Sequence, residues 1–267
     1  MRAFVDPERL ALGELVLRGD EHHYVARVRR ARPGELIELL DGEGRRARAV
    51  IEAIGSDTTT LRVEAPENVP AEPPFVRALV PLIKGDRMDT CLEKLVEVGA
   101  DAIVLWPAER SIVRLHDDKR DARIARYQAA VQAAARQCGR AQVPEVTAAL
   151  DLTAAIAHLP DTIGLVCDPT ADTTVADALR LAAFAIGSSK SGVVAHLTQS
   201  GTVSLPDDSM VGRITDVTIA SGPEGGLTTE EHARLAAFAH VGLGPRVLRA
   251  ETAPVIATAL VRAATRS

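Results

Sequence analysis

The order of hydrophobic and polar residues divides the chain into two parts with different periods. Up to about residue 66, apolar and polar positions alternate, as in "GELIELLDGEGRRARAVIEAI", where two alternating runs flank residues 41–44. Alternation of period two is typical of half-buried strands, and Asp-Gly between two such runs is a hairpin signal. This part is therefore predicted to be mainly β, with one short helix near residues 21–28.

The stretch "PENVPAEPP", residues 66–74, contains four prolines and is the predicted linker, because proline at that density continues neither a strand ladder nor a helix. Beyond it, apolar runs such as "FVRALVPLI", "AIVLW", "TIGLVCD" and "DVTIAS" alternate with helical patterns. Strands that alternate with helices are typical of a mostly parallel sheet covered by helices. We therefore expect a small β domain at residues 1–70 and an α/β domain at residues 75–267, in which residues 187–213 form a long loop or an irregular hairpin.

Two strand-to-helix turns in the α/β part are rich in glycine. In "SGPEGGLTTEE" the glycines permit positive φ and close approach of another molecule to the backbone, and Thr228 with Glu231 forms a capping box for the next helix. The segment "GLGPRVLRAETAPVIATAL" repeats the arrangement of short strand, glycine turn and helix. Such turns also occur for backbone geometry alone, but two of them at the carboxyl edge of one sheet can form a shared pocket. Neither follows the dinucleotide-binding or P-loop pattern, which disfavours redox and nucleotide-hydrolysis functions.

Composition excludes several other classes of protein. Aromatic residues make up only 3%, which argues against a stacking platform for single strands. The three cysteines are widely spaced and the seven histidines show no ligand spacing, so neither a disulfide framework nor a metal site is predicted. No apolar run approaches the roughly 18 residues of a membrane span, and "MRAFVDPERL" lacks the apolar stretch of a signal peptide. The expected location is the cytoplasm, without membrane contact.

The net charge is −5, yet arginines are concentrated in two places. One is the arginine patch, which consists of Arg27, Arg29, Arg30 and Arg32. The other is the basic stretch at residues 110–140, which begins with Arg110 and Arg114. Local patches of this kind can bind phosphate on an acidic protein, and the alternative is an ordinary solvated surface.

Five motifs give the chain a family resemblance: "KGDRMDTCLEKLVEVGA", "ERS", "RQCGRAQVP", "GPEGGLTTEE" and "LGPRVLRAETA". Their order over essentially the whole chain resembles the 16S ribosomal RNA uridine N3-methyltransferases (the RsmE family) of the SPOUT, or trefoil-knot, superfamily. The resemblance implies a PUA-like β-barrel that binds RNA, followed by a knotted α/β methyltransferase domain. It also implies S-adenosylmethionine (SAM) as cofactor, 16S rRNA of the small ribosomal subunit as substrate, and a homodimer. Arg136 departs from the pattern, because family members often carry glutamate there.

The resemblance also assigns roles to the two glycine turns, which would wrap SAM. The implied cofactor-binding residues are Ser221, Gly222, Pro223, Glu224, Gly225, Gly226, Leu243, Gly244, Val247, Leu248 and Arg249.

Uridine N3 carries a proton that must leave, so Glu224 and Glu251 are candidate proton acceptors. Arg246 and Arg249 are candidate stabilisers of charge on the uracil oxygens. Other interpretations stay open, namely a favourable first-turn charge for Glu251 and a structural ion pair for Arg249. Two other functions also stay open: a SPOUT methyltransferase for another RNA such as tRNA, and a non-catalytic RNA-binding or assembly protein.

Overall fold

The computed structural model describes residues 1–111, 113, 117–187, 211 and 213–266. The described chain forms two compact units. The first comprises Met1–Ala71 and Gln132–Val143, and the second comprises Glu72–Val131 and the chain from Pro144 onward. The structure thus differs from the expected division in one segment, Gln132–Val143, which packs with the first unit. The loop or irregular hairpin expected at residues 187–213 lies almost wholly outside the described residues.

The first unit is built on one six-stranded sheet, in which the order is β1-β3-β4-β5-β2 and β6 pairs with β4. Its strands are β1 Arg2–Phe4, β2 Gly13–Leu17, β3 Leu36–Leu40, β4 Arg45–Ile54, β5 Thr59–Val63 and β6 Glu67–Asn68. The apolar positions of the alternating pattern, among them Ile37, Leu39 and Ile51, are buried in one core cluster. The predicted β character of this part is therefore confirmed.

The predicted hairpin turn joins β3 to β4. The side chain of Asp41 accepts hydrogen bonds from the backbone nitrogens of Glu43 and Arg45 at 2.8 and 2.9 Å. Gly42 and Gly44 both have positive φ, which glycine adopts without strain. The turn fixes the register of the two strands.

Part of the predicted linker is a strand, which corrects the prediction. Glu67 and Asn68 keep their backbone N–H groups between the prolines and pair with β4 as β6. The side chain of Glu67 also accepts a hydrogen bond from Nε of Arg46 at 2.6 Å. Two residues without proline are therefore enough to extend the sheet into this stretch.

The predicted short helix is present, but its second half is not α-helical. Helix α1 spans Gly19–His23 and continues as a π-helical turn at Tyr24–Val28. Arg30 follows with φ of 52°, the one positive φ outside glycine among the described residues. The backbone that carries the arginine patch is therefore irregular.

The segment Gln132–Val143 is held in the first unit by both side chains and backbone. It contains the last turns of α3, a helix that spans Asp117–Cys138. Arg136 forms an ion pair with Glu21, and its guanidinium lies 4.7 Å from the ring centre of Tyr24. The backbone nitrogen of Val143 donates to the carbonyl of Gly42 at 2.9 Å. These contacts explain why a segment that follows the predicted linker in sequence belongs to the first unit.

The second unit is an α/β layer structure, as predicted. Its strands are β7 Phe75–Pro81, β8 Ala102–Trp106, β9 Glu145–Ala148, β10 Ile163–Cys167, β11 Asp216–Ala220 and β12 Ala239–Val241. They form one sheet in the order β12-β10-β11-β7-β8-β9, and every pair is parallel. The helices besides α3 are α2 Asp86–Val98, α4 Leu152–Ala157, α5 Val175–Gly187, α6 Thr229–Arg234 and α7 Ala253–Thr265. Among the described helices, none combines the length and the apolar character that crossing a membrane requires.

The strand order determines where a site can form. Strands β12, β10 and β11 are neighbours, so their carboxyl ends meet at one edge of the sheet. Open α/β sheets bind ligands at this edge, outside the carboxyl ends of the strands. Residues 168–174, 221–228 and 242–252 follow these three ends and therefore lie close together.

Candidate functional site

A cavity of about 550 Å³ opens at the carboxyl ends of β10, β11 and β12. Both predicted glycine turns line it. Sites for small molecules typically have volumes of about 300–1,000 Å³, so the cavity is large enough for a cofactor.

The first glycine turn, residues 221–226, gives the cavity four of its six members: Gly222, Pro223, Glu224 and Gly226. Gly226 has a φ of 73°, and its backbone nitrogen donates to the carbonyl of Pro223 at 2.9 Å. The positive φ explains the need for glycine at this position.

The other two members of this turn do not line the cavity. Ser221 is fully buried, and its backbone nitrogen donates to the carbonyl of Leu79 in the sheet at 3.2 Å. Gly225 faces Arg110, since a Cβ added there would lie 3.0 Å from Cβ of Arg110. Arg110 Nη1 also donates to the carbonyl of Gly225 at 2.9 Å. Ser221 and Gly225 therefore support the turn from behind.

The predicted capping box holds the end of the first turn in place. The backbone nitrogen of Glu231 donates to Oγ1 of Thr228 at 3.2 Å, and Oε2 of Glu231 accepts from the backbone nitrogen of Thr228 at 2.8 Å. The other carboxylate oxygen of Glu231 accepts from the backbone nitrogen of Glu109 at 2.9 Å. The start of α6 is thus held by the capping box and by the backbone of Glu109, and this also holds the end of the turn in place.

The second glycine turn, residues 243–249, contributes Leu243, Gly244, Arg246, Val247, Leu248 and Arg249 to the cavity wall. Gly244 has a φ of 118°, and a Cβ built there would meet no described atom within 4 Å. Val247 is 82% exposed, which is unusual for a large apolar side chain and leaves its surface available to a ligand.

A third wall, which sequence reasoning missed, comes from the last residue of β10 and the residues after it. Cys167, Asp168, Pro169 and Thr170 line the cavity. The sequence signal was the strand "TIGLVCD", but no pattern in the chain shows that β10 lies between β11 and β12. Arg87, Leu227, His232, Ala250 and Ala253 complete the lining and were likewise not predicted.

Of the four predicted catalytic residues, Glu224, Arg246 and Arg249 line the cavity, whereas Glu251 does not. The Glu251 side chain is 12% exposed, and its Oε2 makes no hydrogen bond within the described part of the chain. Burial first, and the nearby Glu251 carboxylate second, raise the pKa of Cys91 to about 12. Glu251 therefore lies behind the cavity wall, near α2.

Arg87 joins the two predicted proton acceptors. Its Nη1 lies 3.1 Å from Oε1 of Glu224 and 4.0 Å from Oε2 of Glu251. Arg249 Nη1 is 3.8 Å from Oε1 of Glu251, which agrees with the alternative of a structural ion pair for Arg249. Side chains from α2 and from both glycine turns thus form one charged network.

All four side chains of the arginine patch are exposed. Within the described residues none of them forms an ion pair, and Glu38 is paired with Arg2 and Arg46 instead. Arg110 is exposed as well, but it is bonded to the first glycine turn. Arg114 lies outside the described residues. In the remainder of the second basic stretch, Arg126 and Arg136 are engaged in ion pairs.

Asp168, His232 and His240 also come together at this edge of the sheet. The Nδ1 atom of His240 lies 2.8 Å from Oδ2 of Asp168, and the rings of His232 and His240 stack with centroids 5.4 Å apart. The hydrogen bonds from Thr170 and His240 outweigh the effect of burial, which by itself raises the pKa, and lower the pKa of Asp168 to about 2. Asp168 is therefore ionised at neutral pH.

Comparison with known proteins identifies the family of each part of the chain. Residues 71–262 match the RNA methyltransferase domain, and residues 17–64 match the RNA methyltransferase PUA domain. The predicted fold class, a PUA-like domain followed by a SPOUT methyltransferase domain, is thus confirmed.

Relatives and solved structures of similar proteins cover nearly all of the chain. It is 32% identical over 253 residues to the ribosomal RNA small subunit methyltransferase E of Mycobacterium tuberculosis, covering 92% of this chain and 85% of that protein. The Bacillus subtilis protein of the same name is 30% identical, covering 91% and 87%. A crystal structure of the Neisseria gonorrhoeae ribosomal RNA small subunit methyltransferase E bound to SAM superimposes with a TM-score of 0.76 at 27% identity, covering 98% and 96%. A Legionella pneumophila methyltransferase in complex with SAM gives a TM-score of 0.79 at 25% identity, covering 98% and 97%. The chain therefore belongs to the RNA methyltransferase family, among the ribosomal RNA small subunit methyltransferase E proteins.

Proposed function

We propose that this protein transfers a methyl group from SAM to N3 of a uridine in the 16S rRNA of the small ribosomal subunit. The observation that carries the proposal is the cavity formed by two glycine turns at adjacent ends of parallel strands. Relatives that share the fold over nearly their whole length bind SAM and carry the name of a small-subunit rRNA methyltransferase.

The cavity residues fit such a cofactor. At Gly222, Gly226 and Gly244 the main chain is part of the wall, and the space in front of Gly244 is open. Val247, Leu248 and Leu243 supply apolar surface for a nucleoside base. Ser221 and Gly225 do not reach the cavity, so we assign them to support of the turn.

The cofactor supplies an electrophilic methyl group, which leaves the protein to position the uracil and to handle the N3 proton. Glu224 is the better placed of the two predicted acceptors, because it lines the cavity and Glu251 does not. Arg246 and Arg249 line the same cavity and can stabilise negative charge that develops on the uracil oxygens.

The first unit supplies affinity for RNA in this proposal. The arginine patch lies within the segment that matches the PUA domain, and its four side chains are exposed. Structured RNA is recognised largely through its shape and phosphates, which guanidinium groups bind well. Arg30 presents its side chain from a backbone conformation that non-glycine residues rarely adopt. Such conformations are concentrated at functional sites.

We further propose that the protein acts as a homodimer. Helix α7 exposes Ile256 and Leu260, and α5 exposes Phe184 and Ile186. Because these two helices contact each other, their exposed apolar side chains lie on neighbouring elements. Together they can form an apolar surface for a second copy of the chain. Light scattering at micromolar concentration tests this, and a monomer would contradict it.

The decisive experiment uses labelled SAM and small subunits that lack the modification, followed by mapping of the methylated base. Label at N3 of one 16S uridine supports the proposal. Label on tRNA would indicate a different RNA substrate, and label on another atom of the 16S rRNA would contradict methylation at N3. Failure to bind SAM in calorimetry would leave only a non-catalytic role in RNA binding or assembly.

A further inference from the structure

Three side chains with metal-binding atoms meet beside the cavity, and the proposed methyl transfer uses none of them. Asp168 follows β10, His232 lies on α6 and His240 lies on β12. One ligand atom from each residue lies within 4.8 Å of the other two. All three side chains are partly buried, and Asp168 and His232 face the cavity.

The Asp168 carboxylate is held in place by hydrogen bonds at both of its oxygens. Its Oδ1 accepts hydrogen bonds from the backbone nitrogen and from Oγ1 of Thr170, at 2.8 and 2.6 Å. Its Oδ2 points to Nδ1 of His240 at 2.8 Å. Hydrogen bonds from a neighbouring side chain that fix the ligand are a regular feature of metal sites.

We propose that Asp168, His232 and His240 bind one divalent transition-metal ion. Two imidazoles and one carboxylate form a set that suits Zn²⁺, Co²⁺ or Ni²⁺, whereas Mg²⁺ and Ca²⁺ prefer oxygen ligands alone. Ligand atoms that share one such ion lie about 3–3.5 Å apart, because each is about 2.0–2.2 Å from the ion. Oδ2 of Asp168 and Nδ1 of His240 are now joined by a hydrogen bond of 2.8 Å, so the ion would replace the shared proton, which passes to solvent or to Nε2 of His240. The three ligand atoms, which lie within 4.8 Å of one another, would have to move closer together.

The ion would join the end of β10 to helix α6 and strand β12 at this edge of the sheet. Strand β12 has three residues and α6 has six, so both are short. A ligand that binds only the folded state stabilises it by mass action. The site is therefore expected to raise the melting temperature when the ion is present, independently of SAM.

The test uses the full chain without a polyhistidine tag and without SAM, so its result does not depend on the proposed function. Co²⁺ is titrated and followed by its visible absorption, and Zn²⁺ is titrated by calorimetry. We expect one ion per chain and at least tenfold weaker binding in each of Asp168→Asn, His232→Ala and His240→Ala. His158→Ala is the matched control, because His158 is an exposed histidine of the same unit that lies outside the cluster. It should bind the ion as the unmodified protein does.

Two results would overturn the proposal: no saturable binding of either ion, or equal loss in the His158→Ala control. Melting curves in chelator establish that each variant is folded. If His232→Ala does not fold, His232→Gln replaces it, because glutamine keeps most of the side-chain volume without the imidazole. SAM binding in chelator is measured separately and tests the proposed function alone.

Discussion

The glycines of the two turns allow a matched test of the cavity, because the structure places Gly244 on its wall and Gly225 behind it. The sequence predicts that both contact the cofactor. Gly244 lines the cavity and a methyl group added there meets no described atom within 4 Å, whereas at Gly225 it lies 3.0 Å from Cβ of Arg110. Gly244→Ala and Gly225→Ala therefore make the same chemical change on opposite sides of the wall.

The expected magnitudes follow from the backbone and the surroundings. Alanine at a φ of 118° costs about 1–3 kcal/mol of strain, which a domain with about 5–15 kcal/mol of stability survives. The methyl group and the relaxed backbone then occupy space that the cofactor needs, so we expect SAM affinity to fall at least tenfold, or about 1.4 kcal/mol. Gly225 lies outside the left-handed region, so alanine is not strained there, and its contact with Cβ of Arg110 at 3.0 Å requires a shift of only a few tenths of an ångström. We expect its SAM affinity to change by less than about twofold.

Calorimetry with SAM in the presence of chelator measures both affinities, and urea unfolding confirms that the variants are folded. If Gly244→Ala binds SAM as tightly as the unmodified protein, the cavity is not the cofactor site. If Gly225→Ala loses as much affinity as Gly244→Ala, the proposed division between wall and support is wrong.

Three further predictions concern RNA affinity, the core and pH. Alanine at all four positions of the arginine patch should weaken RNA binding without changing the melting temperature. The slope of log affinity against log salt concentration should become shallower by about 0.7 for each phosphate contact that is lost. Unchanged affinity and slope would show that the patch is a solvated surface. Arg262→Met should lower the free energy of unfolding, measured by urea denaturation, by about 3–5 kcal/mol. The reason is that buried Arg262 pairs with Asp101 and donates to three backbone carbonyls, those of Glu72, Pro74 and Gly99. The control Arg62→Met changes an exposed arginine and should cost less than about 0.5 kcal/mol. Folding lowers the pKa of Asp168 from 3.8 to about 2, so the ionised carboxylate stabilises the fold above pH 3.8, and this contribution is lost as the pH falls towards 2. Asp168→Asn should therefore reduce the loss of stability between about pH 4 and pH 2 in urea unfolding, and an unchanged loss would contradict this.

Local patterns in the sequence predicted the elements well, because their causes are local. The helical spacing of Met88, Cys91 and Leu95 reflects one buried face of α2, and all three are buried. The capping box at Thr228 is a contact between residues three positions apart, and both of its hydrogen bonds are present. The glycine turns were identified for the same reason, since positive φ and close packing are properties of a few consecutive residues.

Contacts between distant segments could not be predicted in this way. The wall formed by Asp168 and Thr170 depends on β10 lying between β11 and β12, and strand order leaves no mark on local periodicity. The packing of Gln132–Val143 with the first unit depends on Arg136 meeting Glu21, a residue more than a hundred positions away. The cluster of Asp168, His232 and His240 has the same origin, because its members come from three elements and show no ligand spacing.

The two predicted proton acceptors show how burial decides between residues that the sequence makes equivalent. Glu224 and Glu251 each follow a glycine-rich strand end, and each contacts Arg87 within 4.0 Å. The Glu224 side chain is 34% exposed and lines the cavity, whereas Glu251 is 12% exposed and lies outside it. A general base must come within hydrogen-bond reach of the proton that it removes, directly or through one water. Of the two, only Glu224 lines the cavity, so we expect Glu224 to be the one that reaches a bound uridine. Arg87 lies between the two carboxylates, and we expect Glu251 to influence Glu224 only through it. Glu224→Gln should therefore reduce the methylation rate with little change in SAM affinity, and Glu251→Gln should change the rate less. Single-turnover methylation of small subunits measures both rates, and a larger loss in Glu251→Gln would reverse the assignment.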